Sequence, residues 1–284
     1  MTGAADIYPP HSRAAALVRT RTATLARTRA VELARTRTAE LARTHAATMA
    51  QTRAAALEAA HGDASAARIL RAVFVDGVAG PAALVSSFGA ESAALLHLLS
   101  EIAPDAPVLL LDTEMLFPET LEYQRDLAAL LGLTGVRRIR PARAAVAGAD
   151  PAGDLHARAP AGCCDLRKVQ PLARALAGFG AMVSGRKRFQ GGARARMPVF
   201  EADFDGRIRV NPLARWSAED VSAHIRAHHL PPHPLVAEGF PSIGCAPCTT
   251  RAAPGEDPRA GRWRGADKTE CGIHSAARKA APAA

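Results

Sequence analysis

Between Ala83 and Val210 the chain alternates short apolar runs with stretches of helical period, and this alternation limits the fold more than any other feature. Ala83–Phe88 stops at Gly89, Val108–Leu111 at Asp112-Thr113, Val136–Ile139 at Arg140 and Ala181–Ser184 at Gly185. Val136–Ile139 reads as a strand, and the other runs, short and apolar, read as buried strands. Arg207–Val210 reads as a fifth strand, the second arm of a hairpin with Val199–Glu201 across Asp205-Gly206. Between the runs, Glu91–Ile102 sets Ala94, Leu95, Leu98 and Leu99 on one helical face. Pro118-Glu119 opens a second helix that runs through Leu131 and ends near Gly132, and Leu166–Ala177 is a third. Ser217, with Asp220 three residues on, opens a fourth, which Pro231, Pro232 and Pro234 close. Strands joined by helices imply an α/β fold with a doubly wound, mostly parallel sheet.

In such sheets ligands sit beyond the carboxyl ends of the strands. Four strand ends should therefore share one crevice: Ser86-Ser87-Phe88-Gly89, Asp112-Thr113, Arg137–Arg140 and Gly185-Arg186-Lys187-Arg188. Ser86–Ser92 is a strand–turn–helix corner whose backbone N–H groups suit phosphate or sulfate, though it lacks the Gly-Lys-Ser/Thr of a Walker loop. Ser184–Arg194 holds four cations among three glycines. Arginine forks match phosphate and sulfate oxygens, and glycines let backbone approach a ligand closely.

The chain has 284 residues, 48% hydrophobic and 22% charged, which is enough for a core and excludes a disordered chain. No apolar run is long enough for a transmembrane helix, and no secretory signal is seen. Five cysteines are too few and odd for a secreted disulfide scaffold, so a cytoplasmic protein with ligating or catalytic thiols is expected. The net charge of +9 points to anionic partners. Much of it comes from residues 1–61, where nine arginines meet only Asp6, Glu32, Glu40 and Glu58. There Leu17, Leu25, Leu33, Leu41, Met49 and Leu57 recur every eight residues. Eight residues of about 100° each leave about 80° after two turns, so the leucines drift around a helix and build no coiled-coil seam. The stretch reads as a low-complexity, partly helical or disordered extension, a recent repeat rather than an anion-binding arm. Its composition mimics a transit peptide, with nothing else pointing to import, and Met49 is a candidate translation start. The chain divides into this extension at 1–60, a nucleotide-binding α/β domain at 61–215 and a C-terminal segment at 216–284.

Cys163-Cys164 are adjacent, Cys245-Ala-Pro-Cys248 is a C-x-x-C, and Cys271 stands alone near the end. Two close pairs suit zinc or an iron–sulfur cluster. Neighbouring cysteines point poorly at one ion, which favours a [4Fe–4S] cluster over zinc. Cys271, beside Gly272, is either a mobile nucleophile or a spare surface thiol.

These motifs together resemble the assimilatory adenylyl-sulfate (APS) reductases, within the phosphoadenylyl-sulfate reductase superfamily, over about residues 62–275. Ser86–Ser92 resembles the family's phosphate-loop-like segment, and Leu111-Asp112-Thr113-Glu114 its Leu-Asp-Thr-Gly motif. Cys163-Cys164 with Lys168, and Cys245 with Cys248, resemble its [4Fe–4S] ligand motifs. Ser184–Arg194 is similar to its arginine-rich loop, and Glu270-Cys271-Gly272-Ile273-His274 to its C-terminal signature. The resemblance implies an adenine nucleotide alpha-hydrolase-like fold and reduction of adenylyl sulfate to sulfite and AMP, for sulfate assimilation and cysteine biosynthesis. It implies Cys271 as the catalytic residue, carrying an S-sulfocysteine, with thioredoxin or a similar dithiol protein as electron donor. Substrate binding would then fall to Ser86, Ser87, Phe88, Gly89, Glu91, Leu111, Asp112, Thr113, Lys168, Gly185, Arg186, Lys187, Arg188, Arg194 and His274. Glu114 stands where the family has glycine, and Ser-Ser-Phe-Gly replaces the commoner Ser-Phe-Ser-Gly.

Three alternatives compete with this reading. One is a reductase of the 3′-phosphorylated substrate (PAPS), or of both. Another is an ATP-using enzyme of the same fold, whose Ser-Gly-Gly-x-Asp loop is absent. The third is a zinc-stabilised nucleotide- or nucleic-acid-binding protein. Aromatic residues are only 4%, so stacking platforms are scarce and nucleic acid is not expected as a partner. No membrane partner is expected, and the sequence leaves room for a homo-oligomer.

Overall fold

The computed structural model describes residues 11–203, 205–265, 268 and 270–274, with backbone alone at 11–28, 39 and 43. The first ten residues of the extension and the last ten of the chain lie outside the described residues. The chain forms two compact units, 1–48 and 49–284.

Helix α1 spans His11–His61. Over 29–48 its described side chains are almost all exposed, including Leu33 and Leu41, as the drifting eight-residue repeat requires. The hydroxyls of Thr36, Thr38, Thr44 and Thr48 each donate to the carbonyl four residues back, a bond available to threonine inside a helix. In the second unit the same helix buries Ala50, Ala54 and Leu57. There Glu58 accepts the N–H of Phe200 at 2.7 Å.

Ser65 caps α2 (Ala66–Phe74), a helix of the α/β domain that the sequence reading did not pick out. Strand β1 (Ala82–Val85) leads to α3 (Ser92–Ser100), β2 (Val108–Leu111) to α4 (Pro118–Leu130), and β3 (Val136–Ile139) to α5 (Arg143–Ala149). Short helices α6 (Leu155–Arg158) and α7 (Pro160–Cys164) follow. A π-helical turn, Asp165–Val169, then opens α8 (Gln170–Ala175). The expected helix over 166–177 is thus split. Pro171 has no N–H for the carbonyl of Arg167, and the widened turn avoids that missing bond. Strands β4 (Ala181–Ser184), β5 (Phe200–Ala202) and β6 (Ile208–Val210) complete the sheet. Helices α9 (Ala218–Ala227) and α10 (Pro234–Ala237) follow. The Ser217–Asp220 capping box opens α9 as read from the sequence.

The sheet order is β3-β2-β1-β4-β6-β5, parallel except for the antiparallel β5–β6 hairpin. Strands β1, β2 and β4 are buried along their length, so their runs are apolar without alternation. Leu84, Leu110 and Val183 face a core with α2, α3, α4 and α9. Ala83, Val85, Leu109 and Met182 face Leu172 and Leu176 on the other side. The order of strand addition reverses between the parallel neighbours β1 and β4, which places the expected crevice beyond Val85 and Ser184. Among the described residues no helix is long and apolar enough to cross a membrane.

Candidate active site

A cavity of about 250 Å³ opens at that switch point. Its floor is the corner after β1. Ser86 Oγ accepts the N–H of Phe88 at 3.1 Å, and Phe88 takes a left-handed conformation with φ 49°. Its ring turns away from the cavity and is fully buried in the core. Ser87, Gly89 and the first residues of α3 are left on the cavity wall. Backbone N–H groups at a helix start favour an anion there.

The loop after β4 supplies the cations. Arg186 is buried, held by Ser184 and Asn211 through Nε and by Glu201 through Nη2. Lys187 Nζ lies 2.7 Å from Glu91 Oε2, which also accepts from Gln190 at 2.9 Å. Burial, only partly offset by Glu91, lowers the Lys187 pKa. Arg194 grips both carboxylate oxygens of Glu270, at 2.6 and 2.8 Å. Such a bidentate fork fixes orientation as well as charge.

Glu270 begins the tail that closes the cavity. Cys271 follows, half-buried, then Gly272 at φ 87°. Ile273 packs on the face of the sheet that carries Leu172 and Leu176. Arg209 Nη1 donates to the His274 carbonyl at 3.3 Å. Tethers on both sides thus hold the Cys271 thiol at the cavity wall, which Lys168, Arg259 and Arg262 also line. Burial, and then the arginines 186, 194, 209 and 259, push the His274 pKa well down, so its ring is neutral. Among the described residues His274 Nδ1 and Arg262 Nε are buried with no hydrogen-bond partner, an arrangement that suits a ligand.

Four more cysteines lie beside this wall, and Cys245 is part of it. Cys163 and Cys164 end α7, and Cys245 and Cys248 flank a 3-10 turn. Thr113 Oγ1 sits 3.2 Å from Cys245 Sγ, and Ala246 N–H bonds Met115 O at 2.8 Å. Burial, then Cys164, Cys245 and Cys248, push the Cys163 thiol up to about 11. Burial, then Cys245 and Cys164, raise Cys248 as well. Burial opposes the charge on Lys168, yet Cys245, Cys271 and Cys164 outweigh it and raise its pKa. These four thiols perturb one another beside a buried lysine. One zinc ion with Zn–S near 2.3 Å would bring its sulfurs to about 3.8 Å of one another. Among the described residues, the group whose donor atoms all come within 4.8 Å is made of histidines, not of these cysteines. Cysteine thiols from two chain segments are a donor set that fits zinc and an iron–sulfur cluster alike.

Of the residues expected to bind substrate, Ser86, Ser87, Gly89, Glu91, Leu111, Lys168, Gly185, Arg186, Lys187, Arg194 and His274 line this cavity with Cys271. Phe88, Asp112, Thr113 and Arg188 do not. Phe88 is a core residue, Thr113 contacts a cysteine, and Arg188 Nε donates to Met197 O at 2.9 Å. Asp112 binds Arg138 at 2.7 Å and Arg140 at 2.8 Å instead. Glu114 adopts φ 60°, which explains why a glycine suits this position. Its N–H donates to Asp112 at 3.1 Å and its carboxylate lies 3.7 Å from Arg167. Sequence reasoning missed Gln190, Arg259 and Arg262. The signal available was a run of three arginines at 259, 262 and 264.

Burial alone would raise the Asp112 pKa, but the bonds from Arg140 and Arg138 hold it below the ordinary carboxylate value. A depressed folded pKa gives stability that is full above the unfolded value, near 4, and is lost as pH falls through the folded one. Asp112→Asn is therefore expected to be less stable than wild type at pH 7. The gap should narrow below about pH 4 in urea melts. A gap independent of pH would refute the assignment.

Residues 81–251 match the phosphoadenosine phosphosulfate reductase domain. The chain belongs to this family. A relative from Mesorhizobium japonicum, named adenosine 5'-phosphosulfate reductase, is 53% identical over 207 residues, 73% of this chain and 80% of the relative. One from Streptomyces coelicolor, with the same name, is 40% identical over 185 residues, 65% of this chain and 78% of the relative. The crystal structure of the phosphoadenylyl-sulfate (PAPS) reductase from Candida auris, a phosphate complex, is similar with a TM-score of 0.60 at 25% identity. That likeness covers 70% of this chain and 97% of the other. The family match takes in the four clustered cysteines and both cavity loops, and ends before Cys271.

Proposed function

We propose that this chain is an adenylyl-sulfate reductase of sulfate assimilation, forming sulfite and AMP in the cytoplasm with thioredoxin or a similar dithiol as donor. The observation that carries the reading is the Cys271 thiol held at the wall of an arginine-lined cavity beside the β1–α3 corner. The names of the relatives support APS as the substrate class.

In this mechanism the phosphosulfate lies against the start of α3, with Arg186, Arg194, Arg259, Arg262 and Lys168 around it. Neutralising the anion removes the repulsion that would keep a thiolate away, and these cations stay in place as charge moves onto the leaving phosphate. The Cys271 thiolate forms a bond to the sulfate sulfur. The bond from sulfur to the bridging oxygen breaks, and AMP leaves with that electron pair. The product is S-sulfocysteine. A thiolate of the donor then attacks Cys271 Sγ, sulfite departs with the sulfur–sulfur electron pair, and the donor's second thiol frees Cys271 as the donor becomes a disulfide. The donor supplies both electrons. Neutral His274 offers a hydrogen bond from a ring nitrogen that has no partner among the described residues.

Cys163, Cys164, Cys245 and Cys248 would hold a [4Fe–4S] cluster, which would contribute fixed charge beside Lys168. Anaerobically purified protein is expected to contain about four iron and four sulfide per chain. Cys245→Ser should lose most of both. Zinc in place of iron would overturn the cluster assignment. Sulfite release with thioredoxin, measured with APS and separately with PAPS, tests the substrate. Higher kcat/KM with PAPS would keep the reaction class and replace the substrate.

A further inference from the structure

His97 interrupts an otherwise apolar helix face. Ala93–Leu96, Leu98 and Leu99 of α3 are buried hydrophobics, yet a half-buried imidazole stands among them. It meets two more histidines. His224 lies on α9, and His228 follows four residues on, where it ends the helix, so both side chains share one face. His97 Nδ1 is 3.2 Å from His224 Nε2. The His228 ring centroid is 4.2 Å from that of His97 and 4.4 Å from that of His224. One nitrogen of each ring falls within 4.8 Å of the other two. Glu101, one turn after His97 on α3, places its carboxylate 3.8 Å from His97 Nδ1.

We propose that His97, His224 and His228 form a second metal site, apart from the cysteines, for a divalent ion of the Zn²⁺ or Ni²⁺ class. Imidazole suits these ions, and metal–nitrogen bonds of about 2.0–2.1 Å put two ligand nitrogens about 3.3 Å apart. The 3.2 Å spacing of His97 and His224 already meets this. Glu101 or water completes four-fold coordination. Burial lowers the pKa of His97 and of His224, which keeps both rings in the neutral, ligating form. None of the three lines the substrate cavity. The ion is therefore structural: it clamps α9 onto α3, the helix whose other end, at Ser92, forms the cavity wall.

The test is calorimetric titration of the anaerobic full-length holoenzyme with Ni²⁺, whose preference for imidazole separates this site from the thiols. Wild type is expected to bind one Ni²⁺ per chain at micromolar or tighter Kd, and its melting temperature should rise with the metal. His224→Ala should bind at least tenfold more weakly and lose the thermal shift. His228→Ala, at the exposed end of the site, gives the same reading if the His224 variant fails to fold. Wild type without a one-to-one site, or variants that bind within twofold of wild type, would overturn the proposal.

Discussion

Cys271→Ser is expected to lower sulfite formation by a factor on the order of 10⁴ or more, the scale on which removal of a catalytic nucleophile acts. The serine hydroxyl stays protonated near neutral pH and is a poor nucleophile without an adjacent base. Cys271 lies outside any helix or strand, between Glu270 on Arg194 and Ile273 on the sheet face. The oxygen-for-sulfur exchange leaves both tethers in place. Iron and sulfide content, and the melting temperature, should therefore match wild type. Equal loss of metal and activity would mean that Cys271 supports the centre rather than the chemistry.

Asp150→Ala is expected to cost about 3–5 kcal/mol of stability, the cost of breaking a buried ion pair by removing one partner. For a unit of this size that is a fall in melting temperature on the order of 10 °C. The Asp150 side chain is fully buried and that of Arg167 nearly so, with Oδ2 and Nη2 2.8 Å apart. Oδ1 also accepts the N–H of Leu155 at 2.9 Å. Arg167 also reaches the Thr113 carbonyl at 3.0 Å and lies 3.7 Å from the half-exposed Glu114 carboxylate, so loss of Asp150 leaves its buried charge with the longer of its two ion pairs. Arg167 sits on the π-helical turn directly after Cys163-Cys164, beside Lys168. Iron content is expected to fall along with stability. Asp150→Asn, which can still accept from Leu155, should lose less. Scanning calorimetry of the three proteins checks the order.

How much of this was legible depended on how local each signal was. The strands at 82–85, 108–111 and 181–184 stood out because a strand buried on both faces needs an apolar run, and each ended in a visible glycine or polar stop, whereas 136–139 carries two exposed arginines and gave a weaker signal. The convergence of Ser86–Gly89 and Gly185–Arg194 followed from the doubly wound order alone. The same reasoning sent Phe88 and Asp112 to the cavity wrongly. Strand ends are places, and side-chain direction there is set by one turn: φ 49° at Phe88 swings its ring into the core. Arg259 and Arg262 lie in an irregular stretch with no period to read. The Asp150–Arg167 pair crosses short helices too weak in pattern to predict, and His97 with His224 spans 127 residues. Only a tertiary fold brings such residues together.

In the proposed reaction Cys271 takes the sulfonate from the nucleotide. The direct measurement is the mass of the Cys271 peptide after anaerobic incubation with APS in the absence of any thiol donor. A gain of one SO₃ on that peptide and release of AMP in equal amount are expected of this reaction. An unmodified Cys271 peptide, from protein with a full complement of iron and sulfide and after exposure to both APS and PAPS, would contradict it.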